Sequence, residues 1–248
     1  MNYKNRFDGM DEIYAKARPK YAEGLFDYLE NTIGAVSGSV FADVGSGTGI
    51  FTEQLLHRGY NVFAVEPNGG MRQKAEARLC GYERFISVNG SGENTALPDK
   101  SVDFVTAAQS FHWLDPDAFK RECRRILKPG GRVIIVYNVR YKQAACMKAL
   151  AALCRKYAPE FRGFSNGISR ENCIVFFPGE YSIYRADNTQ IYDRQGFINR
   201  ALSSSYSLKE GDAGYVEYLK EIGEIFDVFS SGGLISVPTE TAAYIGTV

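Results

Sequence analysis

The run Val40-Phe41-Ala42-Asp43-Val44-Gly45-Ser46-Gly47-Thr48-Gly49-Ile50-Phe51 constrains the fold more than any other stretch of the chain. An apolar strand there enters three alternating glycines and then a helix. Glycine lets the backbone take φ > 0 and leaves no Cβ in the way, so a flat ligand can lie against the main chain where a helix begins. Such a turn is expected at the carboxyl edge of a sheet, with something bound to it.

The sequence around it keeps a strict rhythm. Strands are expected at 40–44, 61–66, 85–88, 102–107 and 132–137. Helices are expected at 50–58, through Met71, Ala75 and Leu79, and after Asp115-Pro116, where Phe119, Cys123, Ile126 and Leu127 form the buried stripe. Lys128-Pro129-Gly130-Gly131 is expected to end that last helix. Ahead of the first strand, Ala22, Leu25, Phe26 and Leu29 predict a helix over 19–30 with Pro19 at its first position. Strand and helix alternate five times, which implies a doubly wound parallel sheet with right-handed crossovers.

Beyond Asn138 the rhythm changes. Helices are expected at 143–157, 194–202 and 215–229, extended segments at 181–191 and 234–245, and an aromatic loop around Phe161 and Phe164. The expected fold class is α/β, with a mostly parallel, seven-stranded, doubly wound sheet. Residues 1–138 carry the binding core. Residues 139–248, in the same domain, supply a helical lid and the last two strands as an antiparallel pair at the sheet edge.

Charge and cysteine usage narrow the partners. Lys and Arg total 29, as do Asp and Glu, and no basic run breaks the balance, so neither nucleic acid nor an anionic membrane is expected as a partner. The five cysteines are scattered and never spaced as CxxC, against a metal site or a disulfide framework. The longest aliphatic run, 133–136, cannot span a bilayer, and residues 1–12 are polar rather than the apolar core of an export signal. A soluble cytoplasmic protein with a small-molecule partner is expected.

Three readings compete for the glycine turn. A dinucleotide fingerprint needs Gly-x-Gly-x-x-Gly, but the third glycine arrives one residue early and Ile50 follows it. A phosphate loop of the Gly-x-x-x-x-Gly-Lys type is absent, since no lysine follows the glycines. The third reading is a structural turn with no ligand. Against it, the polar features gather at strand ends: Glu66 after the second strand, Ser91-Gly92 after the third, and Gln109-Ser110-Phe111-His112-Trp113 after the fourth.

Asp43-x-Gly45-x-Gly47-x-Gly49, with Glu66 17 residues beyond the last glycine, resembles the first motif and acidic ribose position of class I S-adenosylmethionine-dependent methyltransferases. Leu97-Pro98-Asp99-Lys100-Ser101-Val102-Asp103 and Arg124-Arg125-Ile126-Leu127-Lys128-Pro129-Gly130-Gly131 are similar to that family's runs into strands four and five. Gln109-x-Phe111-His112-Trp113 and Tyr14-x-x-x-Arg18-Pro19-x-Tyr21 resemble its small-molecule group related to the trans-aconitate methyltransferases. The resemblance covers residues 7–138.

The resemblance implies a Rossmann-like methyltransferase fold, S-adenosyl-L-methionine as cofactor with S-adenosyl-L-homocysteine as product, and a small-molecule acceptor with a carboxylate as one candidate nucleophile. Tyr14 and Arg18 are then expected at the methionine moiety. Asp43, Gly45, Ser46, Gly47, Thr48 and Gly49 are expected along the cofactor, with Glu66 at its ribose, Ser91 and Gly92 at its adenine edge, and Pro67, Met71 and Gln109 completing the set. Many family members carry Asp where Ser91 stands; serine still accepts from an adenine amino group but brings no charge. Tyr21, His112 and Trp113 are expected at the acceptor, with His112 as the candidate catalytic residue, either a substrate-shaping group or a general base. Nucleic-acid amino methyltransferases of this fold carry an Asn/Asp-Pro-Pro-aromatic segment after strand four, where this chain has Gln109-Ser110-Phe111-His112. A cofactor-binding protein without turnover and a nicotinamide-dependent oxidoreductase remain the alternatives.

Overall fold

The computed structural model describes residues 19–164, 168, 170–204 and 206–248; Tyr14 and Arg18 lie outside the described residues. β1 (Val40–Val44), β2 (Asn61–Val65), β3 (Phe85–Val88), β4 (Val102–Ala108) and β5 (Leu127–Arg140) pair in parallel. Two later strands, β6 (Tyr181–Asp187) and β9 (Thr239–Gly246), complete a seven-stranded sheet of order β3-β2-β1-β4-β5-β9-β6. β9 runs antiparallel to both of its neighbours, so the expected antiparallel pair does close the edge.

Apolar side chains leave the two sheet faces alternately. In β5, Val133, Ile135 and Tyr137 enter one core while Ile134 and Val136 enter the other, as a strand covered on both sides requires. The second core is covered by α1 (Glu23–Tyr28), α2 (Ile50–His57) and α3 (Gly69–Leu79) through Leu25, Phe26, Leu55 and Leu79. Each such side chain, fully buried, contributes roughly 1.5–3 kcal/mol. The first core is covered by α4 (Pro116–Ile126), which starts where Asp115 accepts a bond from Ala118 N at 2.8 Å.

Four local differences from the sequence expectation have physical causes. α1 begins at Glu23 rather than Pro19, because the backbone of residues 20–22 is bonded to side chains of distant elements; it then widens into a π turn, Leu29–Ile33. β5 starts at Leu127, which pairs with Val102; the register shifts before Phe104 pairs with Arg132, so Lys128 to Gly131 form an irregularity within the strand. α6 (Arg170–Phe176) was not expected; Cys173 and Phe176 bury against the first core, with Phe176 4.9 Å from Phe111 and 5.6 Å from Phe119 between ring centroids. The last extended segment divides at Pro238 into β8 (Ile235–Val237), which pairs with β7 (Gln190–Tyr192), and β9.

The helices α5 (Ala145–Tyr157), α7 (Arg194–Leu202) and α8 (Tyr215–Phe229) form a third core around Leu150, Phe197, Tyr218, Ile222 and Phe226. This helical unit is the region expected as a lid, and it is joined to the sheet edge at its ends. No helix among the described residues is long and apolar enough to cross a membrane.

Candidate functional site

The glycine turn is shaped by what stands behind it. Gly45 has φ +69°, and a Cβ there would lie 2.5 Å from Ser110 Cβ, whose own Oγ donates to Val44 O at 2.6 Å. Gly49, at φ +80°, caps α2, and a Cβ would meet Leu79 Cδ1 of α3 at 2.7 Å. The sequence motif puts Gly49 on the ligand; in the structure it is a packing glycine and does not line the cleft.

Four of the turn's five N–H groups are already engaged. Gly45 and Ser46 donate to Val65 O at 2.8 and 3.2 Å, Gly49 to Ser46 O at 3.0 Å, and Gly47 to Glu66 Oε2 at 2.9 Å. A pyrophosphate would need those donors and would meet the Glu66 carboxylate. The turn is built to present an acid, not to receive one.

Two buried carboxylates stand under and beside the turn. Asp43 accepts from Thr52 Oγ1 at 2.6 Å and Thr106 Oγ1 at 2.9 Å. Burial pushes its carboxyl up to about 6; the two threonine bonds pull it down, and the Glu66 charge adds to the rise. Glu66, 6% exposed, also accepts from Asn68 N at 2.8 Å through Oε1. Burial raises its carboxyl above the usual range, against the two backbone bonds and the Arg72 charge.

In front of the turn lies a cleft of about 1140 Å³, its solvent-open mouth included. Asp43, Gly45, Ser46, Gly47 and Thr48 line it, and so do Glu66, Pro67 and Met71. Ser91, Gly92 and Gln109 line it too, as do Tyr21 and Trp113. Gln109 has φ +57°, a left-handed conformation that residues other than glycine seldom adopt, at the carboxyl end of β4. The Oγ of Ser46 and the Oγ1 of Thr48 are buried and have no hydrogen-bond partner among the described residues. Both residues line the cleft, so two orphaned hydroxyls lie beside it, a feature that suits a polar ligand.

His112 is placed differently. It is exposed and is not among the lining residues; its Nδ1 lies 3.3 Å from the Tyr137 hydroxyl, and its ring packs 4.6 Å from Trp113.

Polar side chains that sequence reasoning passed over seat the cleft's upper wall. Lys20 O accepts from Asn138 Nδ2 at 3.1 Å and Asn188 Nδ2 at 2.8 Å. Thr241 Oγ1 donates to Asn138 Oδ1 at 2.6 Å and accepts from Ala22 N at 3.0 Å. The Gln54 amide pairs with both the N–H and the C=O of Tyr21, each at 2.9 Å. The available signals were Gln54, polar within an apolar helix face, and Asn138, where the apolar run of the fifth strand stops. On the opposite side, Thr95 N and Oγ1 both donate to Glu122 Oε1, tying the 91–97 loop to α4. Asn138 and Arg200 also line the cleft and were not singled out from the sequence as site residues.

A seven-stranded sheet of this order, with an acid after β2 and a glycine turn after β1, defines a doubly wound, Rossmann-like α/β protein. Residues 42–135 match the methyltransferase domain family. An uncharacterized methyltransferase of Geobacillus thermodenitrificans is 30% identical over 161 residues, 63% of this chain and 71% of that protein. One of Mycobacterium bovis is 35% identical over 140 residues, 56% of this chain; the chain spans only about half, 55%, of that relative's length. Among solved structures, the Anaeromyxobacter dehalogenans protein assigned to the type II methyltransferases has the same fold, with TM-score 0.66 and 20% identity over 93% of this chain and 97% of that one. The YcgJ protein of Bacillus subtilis superposes with TM-score 0.57 at 18% identity, covering 92% of this chain and 100% of its own. The chain belongs to the class I S-adenosylmethionine-dependent methyltransferase family.

Proposed function

We propose that the protein transfers a methyl group from S-adenosylmethionine to a small-molecule acceptor, with a carboxylate as the nucleophile. The observation that carries the cofactor reading is Glu66, whose hydrogen bond from Gly47 N fills the turn where a dinucleotide would place phosphate. The same carboxylate has acceptor capacity left for two ribose hydroxyls. Ser91 and Gly92 are suited to the adenine edge, and the orphaned Ser46 and Thr48 hydroxyls to the polar methionine end.

When bound, the cofactor supplies a methyl group on a sulfonium, transferable in line to a nucleophile without metal or covalent intermediate. The chain's part is alignment and exclusion of water. Gln109, fixed in its left-handed conformation, and Trp113 wall the side of the cleft after β4. Tyr21, held edge-on to Phe51 at 4.9 Å, closes the side opposite. No histidine or lysine occurs among the described lining residues, which favours an acceptor already deprotonated at neutral pH. Equal numbers of acidic and basic residues support a small acceptor over nucleic acid. Five free thiols support a reducing compartment such as the cytoplasm.

Calorimetry with S-adenosylhomocysteine, followed by a turnover assay against acid, phenol and amine panels, tests the proposal. Binding with product from the acids is expected. Binding without product in every panel would favour a protein that holds the cofactor without turnover, and preferential binding of a nicotinamide dinucleotide would remove the assignment.

A further inference from the structure

The cleft runs along the carboxyl edge of the sheet, from Glu66 beyond β2, past the turn after β1 and Gln109 after β4, to Asn138 in β5. Three inter-strand spacings of about 4.8 Å put its two ends roughly 14 Å apart. Its charge is not uniform along that length. Asp43 and Glu66 make the β1–β2 half acidic. In the lining, Arg200 of α7 is the one basic side chain among the described residues. It is half-buried, and its Nη1 donates to the Ser203 hydroxyl at 3.1 Å within the same segment. Ser203 Oγ in turn donates to Arg200 O at 2.9 Å.

A guanidinium in the wall of a cleft matches a planar two-oxygen anion through parallel N–H donors. The acidic half suits the cofactor, whose sulfonium and ammonium leave it cationic overall. We infer that Arg200 is a specificity-determining residue that binds a carboxylate on the methyl acceptor, so that the sheet selects the donor and the lid selects the acceptor. This rests on the methyl-transfer reading proposed above. It also gives the lid a chemical role, since α7 brings in the countercharge that none of the described strand ends supplies to the lining.

The test uses the full chain saturated with S-adenosylhomocysteine, and Trp113 emission as the reporter, because Trp113 is the only tryptophan and lines the same cleft. The probes are aliphatic and aromatic mono- and dicarboxylates, with their primary amides as uncharged counterparts. Acids are expected to shift the emission at concentrations at least tenfold below those of the amides. Arg200→Gln is expected to weaken the acids about tenfold to a hundredfold and to leave S-adenosylhomocysteine affinity, by calorimetry, within twofold. Arg200→Lys should retain part of the preference. Equal response to acids and amides, no response to any acid at millimolar concentration, or unchanged acid binding in Arg200→Gln overturns the inference. So does a loss of S-adenosylhomocysteine affinity in Arg200→Gln with methylthioadenosine binding intact, which would place Arg200 on the cofactor's own carboxylate. If the wild-type chain fails to bind S-adenosylhomocysteine at all, the methyl-transfer reading falls first, and the two failures are told apart.

Discussion

Each oxygen of Glu66 already accepts one backbone N–H, and an ionised carboxylate offers about four acceptor directions. Replacing Glu66 with Ala is expected to weaken S-adenosylhomocysteine binding by about 1.5–3 kcal/mol, read by calorimetry. Because burial raises its carboxyl, the wild type should also lose affinity as the pH falls through that raised pKa, and Glu66→Gln should flatten this acid limb. Asp43 has a counterpart in stability. Its carboxyl ionises near 6 in the folded chain against 3.8 ordinarily, so the folded state binds the proton more tightly. Stability contributed by this group therefore rises as the pH falls through about 6 and levels off below about 3.8. Relative to Asp43→Asn, the wild type should gain on the order of 3 kcal/mol between neutral pH and pH near 4 in urea denaturation. An unchanged difference between the two proteins would mean that Asp43 stays ionised throughout.

Two glycines of one turn are expected to respond differently. Gly45→Ala drives a Cβ against Ser110, whose hydroxyl is anchored to Val44, and should lower stability by about 1–3 kcal/mol beyond the cost of its positive φ. At Gly47 a Cβ would meet only Met71 Sδ at 3.9 Å, leaving the left-handed backbone cost of about 1–2 kcal/mol. Thermal unfolding should rank Gly45→Ala below Gly47→Ala. Elements whose signals are local were readable from sequence: Asp115-Pro116 marks the start of α4, and α7 and α8 have the expected bounds. The start of α1 was not, because the groups that hold residues 20–22 straight lie 118, 168 and 219 residues away in sequence. α6 was not either, since seven residues give too little periodicity and its buried face is set by Phe111 and Phe119. Likewise the wall after β1 to β4 was legible because each of its residues follows a strand. Arg200 was not, because nothing local in α7 says which of its side chains turns toward the cleft. Gly49 shows the converse: its neighbours fit a ligand motif, while its own contacts in the structure are with α3.

Across the molecule, two cores sandwich the sheet and a third holds the lid together. Ile222, fully buried in the third, is a point at which to separate them. Ile222→Ala should remove about 2–5 kcal/mol from the lid. Native-state hydrogen exchange should then speed up in α5 and α8 while β1, β4 and β5 keep their protection. A uniform loss of protection would show one cooperative unit instead. The tie between Thr241, Asn138, Asn188 and the segment 20–22 has a consequence in time. As the chain leaves the ribosome, the first five strands emerge early, yet Lys20 and Ala22 meet their full set of partners only after residue 241 is out. Tyr21, bonded to Gln54, can be placed early, while the bonds to Lys20 and Ala22 on either side of it are completed only late in synthesis.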